Sequence, residues 1–316
     1  MEAARLRDIF KKAVPEIKRV QEIRIRAGKP VFVFMDGQEF LLLEKGTLER
    51  WGGTKPEEAV TADQMLIKEI LGIFSKHSLY AFEDEVRQGF LTIEGGHRVG
   101  ISGKAVLEGQ RMRTIKDISG LNIRLAHQKI GCADCILPFL YENGRLKNTL
   151  FLSPPGAGKT TLLRDAVRQI SNGNAYGKGM EVSVVDERSE IGASFKGIPQ
   201  CDLGVRTDVM DACPKVLGML MMIRSMAPRV VAVDEIGTRD DLEALRDVMN
   251  CGCRILATVH GNRVEDLAGK PVLSEMAAER MFERYVVLTG TPRPGTVTGI
   301  YDGEFLRLEW ENQQTR

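Results

Sequence analysis

The amino-acid sequence predicts an α/β protein with a mostly parallel sheet in its second half, preceded by a smaller α+β domain. Three observations carry this prediction. Four short runs, Thr149 to Leu152, Val182 to Val185, Val230 to Val233 and Ile255 to Val259, are almost continuously apolar, as strands buried on both faces of a parallel sheet are. Longer stretches with helical periodicity separate them, the rhythm of crossover connections. The first half lacks that rhythm and shows short alternating strands with hairpin signals. A chain of 316 residues has room for two domains. They are expected at residues 1–145 and 146–316, with Asn143-Gly144 as the loop ahead of the first buried strand.

In the first half, Glu22 to Arg26 alternates charged and apolar side chains, the period of a half-buried strand. Val31 to Phe34 and Phe40 to Leu43 flank Asp36-Gly37, a hairpin signal. Thr61 with Gln64 reads as a capping box before a helix carrying Met65, Ile67, Ile70, Leu71 and Phe74. Strands follow at Phe90 to Ile93 and His97 to Leu107, joined through Gly95 and Gly96, and at Arg113 to Arg124, which Gly120 interrupts. In the second half, helices are expected at Lys159 to Ile170, Pro214 to Ser225, Asp240 to Met249 and Val272 to Phe282. Met219, Met221 and Met222 read as core packing on the second of these. From Tyr285 the chain reads as antiparallel strands with turns at Thr291 to Gly295 and at Asp302-Gly303.

Composition excludes several classes. Hydrophobic residues at 43% and charged residues at 28% are a globular balance, against disorder. Lys and Arg total 44 against 43 Asp and Glu, so this is not an all-over basic chain that coats nucleic acid, and no direct nucleic-acid partner is expected. No stretch reaches the roughly 18 apolar residues of a membrane span, and the N-terminus, with Glu2, Arg5, Arg7 and Asp8, has no apolar leader core. A cytoplasmic protein with peripheral membrane contact is the expectation. Cys132-x-x-Cys135 and Cys251-x-Cys253 lie too far apart for a zinc ribbon and are read, with Cys201 and Cys213, as reduced thiols.

The chemistry concentrates in three motifs. Ser153, Pro154, Pro155, Gly156, Ala157, Gly158, Lys159, Thr160 and Thr161 lie between a buried strand and a helix, the context of a phosphate-binding P-loop. Its backbone N–H groups and helix N-terminus attract phosphate. Lys159 is placed for the β- and γ-phosphates of ATP, and the Thr160 hydroxyl for Mg2+. Ser153 stands where the motif usually opens on glycine, which puts the shape of the first turn in question. Downstream, Arg229-Val-Val-Ala-Val-Asp234-Glu235 is an apolar strand tipped by two carboxylates. Asp234 is the candidate magnesium ligand and Glu235 the candidate base for the attacking water. The adjacent Glu235 indicates an ATPase of the RecA/AAA-like group, in which a further strand separates the two motifs. Val182 to Val185, running into Asp186-Glu187-Arg188, is the candidate for that strand. Third, Ala257-Thr258-Val259-His260-Gly261 ends the next buried strand, where His260 can sense the γ-phosphate or the water.

These motifs together resemble the secretion ATPase superfamily, the hexameric motors of type II and type IV secretion and of pilus retraction. Asp186 and Glu187, the segment Arg224 to Pro228, Glu235-Ile-Gly-Thr-Arg239-Asp240 and the surroundings of His260 carry the resemblance. More closely, the chain is similar to the stage III sporulation AA family of endospore-forming bacteria. Here the carrying segments are Glu22 to Arg26, Gly95 to Gly100, Leu121 to Arg124, Val185 to Glu190, Val233 to Gly237, Thr258 to Gly261 and Phe282 to Val286. The resemblance implies a hexameric ATPase of the mother-cell cytoplasm, docked on membrane proteins of a channel complex that joins mother cell and forespore. It also implies an N-terminal domain like that of the secretion ATPases, which moves against the motor domain and lays arginines over the nucleotide. Arg124 is the first candidate for that cation, with Arg113, Arg188 and Arg239 as alternatives. Two further readings compete: a RecA-like nucleic-acid translocase, and a nucleotide-gated scaffold with little turnover.

Overall fold

Two units divide the chain, Met1–His127 and Gln128–Arg316. The computed structural model describes residues 2–14, 17–52, 56–76, 82–87, 89–109, 111–291 and 293–309.

The first unit contains α1 (Glu2–Ala13), β1 (Val20–Arg26), β2 (Lys29–Pro30), β3 (Phe32–Met35), β4 (Gln38–Leu42), β5 (Leu48–Arg50), β6 (Thr61–Ala62), α2 (Gln64–Phe74), α3 (Glu83–Arg87), β7 (Phe90–Ile93), β8 (His97–Glu108) and β9 (Arg111–Arg124). Its main sheet runs β5-β4-β3-β1-β9-β8-β7 and every neighbouring pair is antiparallel. The β3–β4 turn has positive φ at both central residues, 52° at Asp36 and 74° at Gly37, the conformation that matches a hairpin's twist. The helix expected after Thr61 begins at Gln64, but its cap is Asp63, whose carboxylate accepts from the Leu66 N–H at 2.7 Å. Thr61 is in β6 instead. Gly120 does not break β9, because it pairs with Arg26 on one side and Ser102 on the other.

The second unit contains α4 (Leu137–Leu140), β10 (Tyr141–Glu142), β11 (Arg145–Leu146), β12 (Thr149–Ser153), α5 (Lys159–Asn172), β13 (Val182–Asp186), β14 (Thr207–Asp211), α6 (Lys215–Met226), β15 (Val230–Val233), α7 (Arg239–Asn250), β16 (Arg254–His260), α8 (Pro271–Ala278), β17 (Arg284–Thr289) and β18 (Thr296–Asp302). The sheet order is β14-β13-β15-β16-β12-β17-β18, parallel throughout except at β17–β18. Alternate side chains of β12 feed two cores: Leu150 and Leu152 pack with Leu242, Leu245 and Val248 of α7 and Met219 and Met222 of α6, whereas Phe151 packs with Leu162, Leu163 and Val167 of α5. Burial on both faces is what made this strand read as continuously apolar.

Four expectations are corrected. The division falls after His127, not after residue 145, because Ala133, Ile136, Leu137, Leu140 and Tyr141 belong to the core beneath α5. Asn143-Gly144 is accordingly the tip of the β10–β11 hairpin, with φ of 51° and 72°, and not a linker. The strand lying between β12 and β15 is β16; β13 flanks β15 on its far side. β17 joins the sheet parallel to β12, and only β18 is antiparallel to it. Smaller differences concern α8, which stops at Ala278, and Met221, which is exposed while its neighbours Met219 and Met222 are buried. The turn expected at Thr291 to Gly295 includes residue 292, which lies outside the described residues.

Candidate active site

The carboxyl ends of β12, β13, β15 and β16 converge, the place where parallel sheets build sites. Ser153 closes β12 fully buried; its hydroxyl donates to the Pro154 carbonyl at 2.9 Å, and its own carbonyl accepts from the Gly261 N–H at 3.2 Å. A serine in the opening position is thus absorbed within the loop. Positive φ at Gly156 (73°) and Gly158 (89°) turns the loop so that α5 starts at Lys159. Gly158 is required twice over: a Cβ there would lie 2.8 Å from the Gly295 nitrogen. The Gly295 N–H donates to the Ala157 carbonyl at 2.7 Å, so the β17–β18 connection supports the loop from behind. Pro155 and Gly156 stay exposed, Ala157 is buried, and the Thr161 carbonyl lies 3.5 Å from the Cys132 thiol. Burial and the nearby Asp165 push that thiol up to about 12, so Cys132 is a packed thiol and no nucleophile.

Lys159 is buried, with Nζ 3.4 Å from Glu235 Oε1 and 4.0 Å from Asp234 Oδ1. The Thr160 hydroxyl donates to Asp234 Oδ2 at 2.8 Å. Thr258 on β16 links the Glu235 backbone to the Asp234 carboxylate: its hydroxyl accepts from the Glu235 N–H at 2.9 Å and donates to Asp234 Oδ1. His260 Nε2 lies 2.9 Å from Glu235 Oε1, so this nitrogen carries the proton; His260 Nδ1 is buried with no partner among the described residues. Arg188 Nη1 is 2.6 Å from Glu235 Oε2. Burial raises the Glu235 carboxyl, but Lys159, Arg188 and His260 outweigh it and hold the group below its ordinary value. Glu235 also has φ of 52°, an uncommon conformation for a non-glycine residue that costs roughly 1–3 kcal/mol and persists only where the surroundings enforce it.

One end of the sheet therefore brings together Ser153 to Thr161, Asp234, Glu235 and His260. Arg124 belongs to the first unit, exposed at the end of β9 opposite Glu22 and Arg98. Arg113, also in that unit, offers its carbonyl to Arg87. Arg239 pairs with Glu275 and Glu243. Of the four arginines considered, Arg188 is the one that the second unit brings to Glu235. Sequence reasoning passed over Thr258 and Lys215. Thr258 sits within the third motif, where only the histidine attracted notice; Lys215 carries no sequence signal, since a lysine at a helix start ordinarily faces water. Asp186 is 1% exposed and accepts from the N–H groups of Glu190, Ile191 and Gly192 at 2.8, 2.9 and 2.8 Å. It shapes a turn, with both of its oxygens engaged by main-chain N–H groups. The oxygen donors of Thr160 and Asp234, hard ligands side by side, suit a small divalent cation. Among the described residues there is no cluster of three or more His, Cys, Asp or Glu that could hold a metal by itself.

Comparison with known proteins bears on the family and the fold. The family model described as sporulation stage III, protein AA matches residues 1–308. Stage III sporulation protein AA of Bacillus subtilis (strain 168) is 42% identical over 302 residues, covering 94% of this chain and 93% of the relative. Among solved structures, the pilus retraction motor PilT with bound ADP superposes with a TM-score of 0.57 at 16% identity, over 89% of this chain and 76% of that one. The Legionella pneumophila ATPase DotB gives 0.53 at 12% identity, over 90% and 75%. At such identities the two structures establish the fold, that of a P-loop ATPase with a mostly parallel sheet. No helix among the described residues is long and apolar enough to cross a membrane.

Proposed function

Because the chain belongs to the sporulation stage III, protein AA family, we propose that it is a magnesium-dependent ATPase that energises a channel between mother cell and forespore. It works as a ring, most simply a hexamer, in the mother-cell cytoplasm, held at the membrane by partner proteins of that channel. The observation that carries the catalytic half of this reading is the contact of P-loop and carboxylate strand: Thr160 on Asp234 at 2.8 Å beside Lys159 on Glu235 at 3.4 Å. The 42% identical relative supports the sporulation half.

Loop N–H groups from Gly156 onward and the N-terminus of α5 receive the β- and γ-phosphates of ATP. Lys159 neutralises charge on the γ-phosphate and lets go of Glu235 as it does so. Thr160 and Asp234 would hold Mg2+, which supplies further charge neutralisation when bound. Glu235 takes the proton of the attacking water; the γ-phosphorus–oxygen bond to ADP breaks, and phosphate leaves. His260, joined to Glu235 through Nε2, couples that carboxylate to the phosphate end of the site. Arg124 of a neighbouring subunit is the cation that completes the site. The balanced charge of the chain, 44 basic against 43 acidic residues, speaks against a nucleic-acid track.

ATP turnover measured against protein concentration, with Glu235→Gln as control, tests the reading. Turnover that rises faster than linearly and falls about 100-fold or more in the variant supports a base acting in a site completed between subunits. ATP bound without turnover at any concentration would replace the motor by a nucleotide-gated scaffold, and stimulation by DNA would replace it by a translocase.

A further inference from the structure

We propose that the turn after β13 is a clamp that positions Glu235, with Arg188 gripping its carboxylate and Glu187 gripping its backbone through Lys215. The proposal rests on the reading of Glu235 as the base for water and names the residues that aim it.

Glu235 is held at both ends. Its Oε2 meets Arg188 Nη1 at 2.6 Å, and its main-chain carbonyl accepts from Lys215 Nζ at 2.7 Å. Lys215 is itself 3.4 Å from Glu187 and 3.9 Å from Asp241, the residue that closes the capping box of α7. Two consecutive residues of one turn therefore reach the same glutamate from two directions, directly and through one lysine. The Lys215 side chain is 14% exposed, so its three oxygen partners surround a mostly desolvated ammonium.

The turn has its own anchorage. Asp186 ties down the N–H groups of Glu190, Ile191 and Gly192. From the other side, the buried Arg164 donates to the carbonyls of Glu190 and Ile191, at 2.6 Å each. Arg164 sits on α5, the helix that opens with Lys159 and Thr160. A single rigid element thus carries the phosphate ligands and fixes the turn that fixes the base. Its purpose follows from the competition for the carboxylate. Lys159 at 3.4 Å and His260 at 2.9 Å both pull on Oε1, and nothing but Arg188 opposes them on Oε2 among the described ion pairs. With Arg188 in place, the carboxylate keeps a defined plane when Lys159 turns to a phosphate. Without it, Oε1 is free to follow whichever cation remains, and a base misplaced by about 1 Å loses on the order of 100-fold in rate.

Arg188 is 62% exposed, so its replacement leaves the core intact and tests the contact rather than the fold. The experiment compares the intact protein with Arg188→Ala, Arg188→Lys, Glu235→Gln and Arg188→Ala/Glu235→Gln. For Arg188→Ala, kcat is expected to fall about 10- to 100-fold with KM for ATP within two-fold of the parent. Arg188→Lys is expected to recover part of kcat. In the Glu235→Gln background, Arg188→Ala is expected to change nothing further, because a residue that acts through Glu235 has nothing left to act on. The same four-protein cycle on melting temperature reads the contact without turnover: a non-additive pair supports it and additivity overturns it. A rise in KM at unchanged kcat would make Arg188 a phosphate ligand and overturn the clamp, as would an equal loss in both backgrounds. Full turnover in Glu235→Gln would instead overturn the base reading, an outcome that Arg188→Ala alone cannot produce.

Discussion

Two neighbouring strands of the parallel sheet, β13 and β15, both run into an Asp-Glu pair, and register sets Val185 beside Val233 just before the two pairs. Their first carboxylates nevertheless do different work. Asp186 is 1% exposed and spends its oxygens on three main-chain N–H groups of its own turn. Asp234 accepts a single main-chain N–H, that of Glu235 at 3.1 Å, and otherwise takes side-chain hydroxyls from two other elements, Thr160 of α5 and Thr258 of β16. The second carboxylates diverge as well: Glu187 pairs with Lys215, whereas Glu235 collects Lys159, Arg188 and His260. Backbone donors hold a carboxylate for good, while hydroxyls and side-chain cations can exchange it for a ligand. A carboxylate's role is thus read from what donates to it rather than from its place on a strand.

The largest expected effect separates the two tips cleanly. Asp234→Asn keeps the shape of the side chain but removes the charge that Thr160 and Lys159 face. ATP turnover is expected to fall about 100- to 1000-fold, the scale for losing one preorganised electrostatic group, with the melting temperature nearly unchanged. A loss of fold comparable to the loss of rate would erase the distinction drawn here.

Asp186→Ala should do the reverse. The buried N–H groups of Ile191 and Gly192 and the part-buried one of Glu190 lose their acceptor, each loss costing on the order of 1 kcal/mol, so roughly 3 kcal/mol of stability is at stake. For a unit of this size that corresponds to a fall of about 6–12 °C in melting temperature. ATP affinity measured well below the transition should stay within a few-fold of the parent, because both oxygens of Asp186 bond within its own turn.

What the sequence disclosed, and what it did not, follows the same division. Strands β12, β13, β15 and β16 were legible because burial on both faces leaves an apolar run. The edge strand β14 went unseen: Thr207–Asp211 is half-buried and carries Asp208 and Asp211, so it has no apolar signature. That Lys159, Thr160, Asp234 and Glu235 meet was legible because local motifs place them at the strand and helix ends that the sheet brings together. Lys215 and Thr258 were not, because their roles are three-dimensional: each is defined by a partner that the fold alone brings near. Asn143-Gly144 was legible as a turn, but a turn inside a domain and a turn between domains use the same residues; the burial of Ile136 and Leu140 decided between them. Arg124 entered through resemblance, and its role across a subunit boundary remains part of the proposed mechanism.

Thr258→Val sharpens the comparison at a finer scale. The hydroxyl that links the Glu235 N–H to Asp234 disappears with little change of volume, leaving that N–H only its longer bond to Asp234 Oδ1 at 3.1 Å. Roughly 1–2 kcal/mol follows. It is expected to appear mainly as an approximately ten-fold lower kcat, since the hydroxyl aligns the two carboxylates and β16 stays packed through Ile255, Leu256, Ala257 and Val259. Thr258→Ser, which keeps the hydroxyl, should retain most of the activity. Equal losses in both variants would assign the effect to packing.

The smallest effect concerns pH, and it bears on Asp186 alone. Burial raises its carboxyl above the ordinary value, an effect that the three N–H donors only partly offset. In the folded protein this group therefore takes up a proton at higher pH than in the unfolded chain. As pH falls through the folded value, the folded state binds more protons than the unfolded state, so this residue adds stability on mild acidification. The gain is complete only below the unfolded value, near the usual carboxylate range. Asp186→Asn has no such group, and titrations of groups that do not face Asp186 are shared by the two proteins and cancel in the difference; Asp211, whose charge adds to the upward push on Asp186, is the neighbour whose titration differs between them. The stability gap between the parent and Asp186→Asn, measured by denaturant unfolding at pH 7, 6 and 5, should accordingly widen as pH falls. A gap that narrows would mean that the three N–H donors dominate and hold Asp186 ionised, which would strengthen its contrast with Asp234; a gap that widens shows burial prevailing even over three hydrogen bonds.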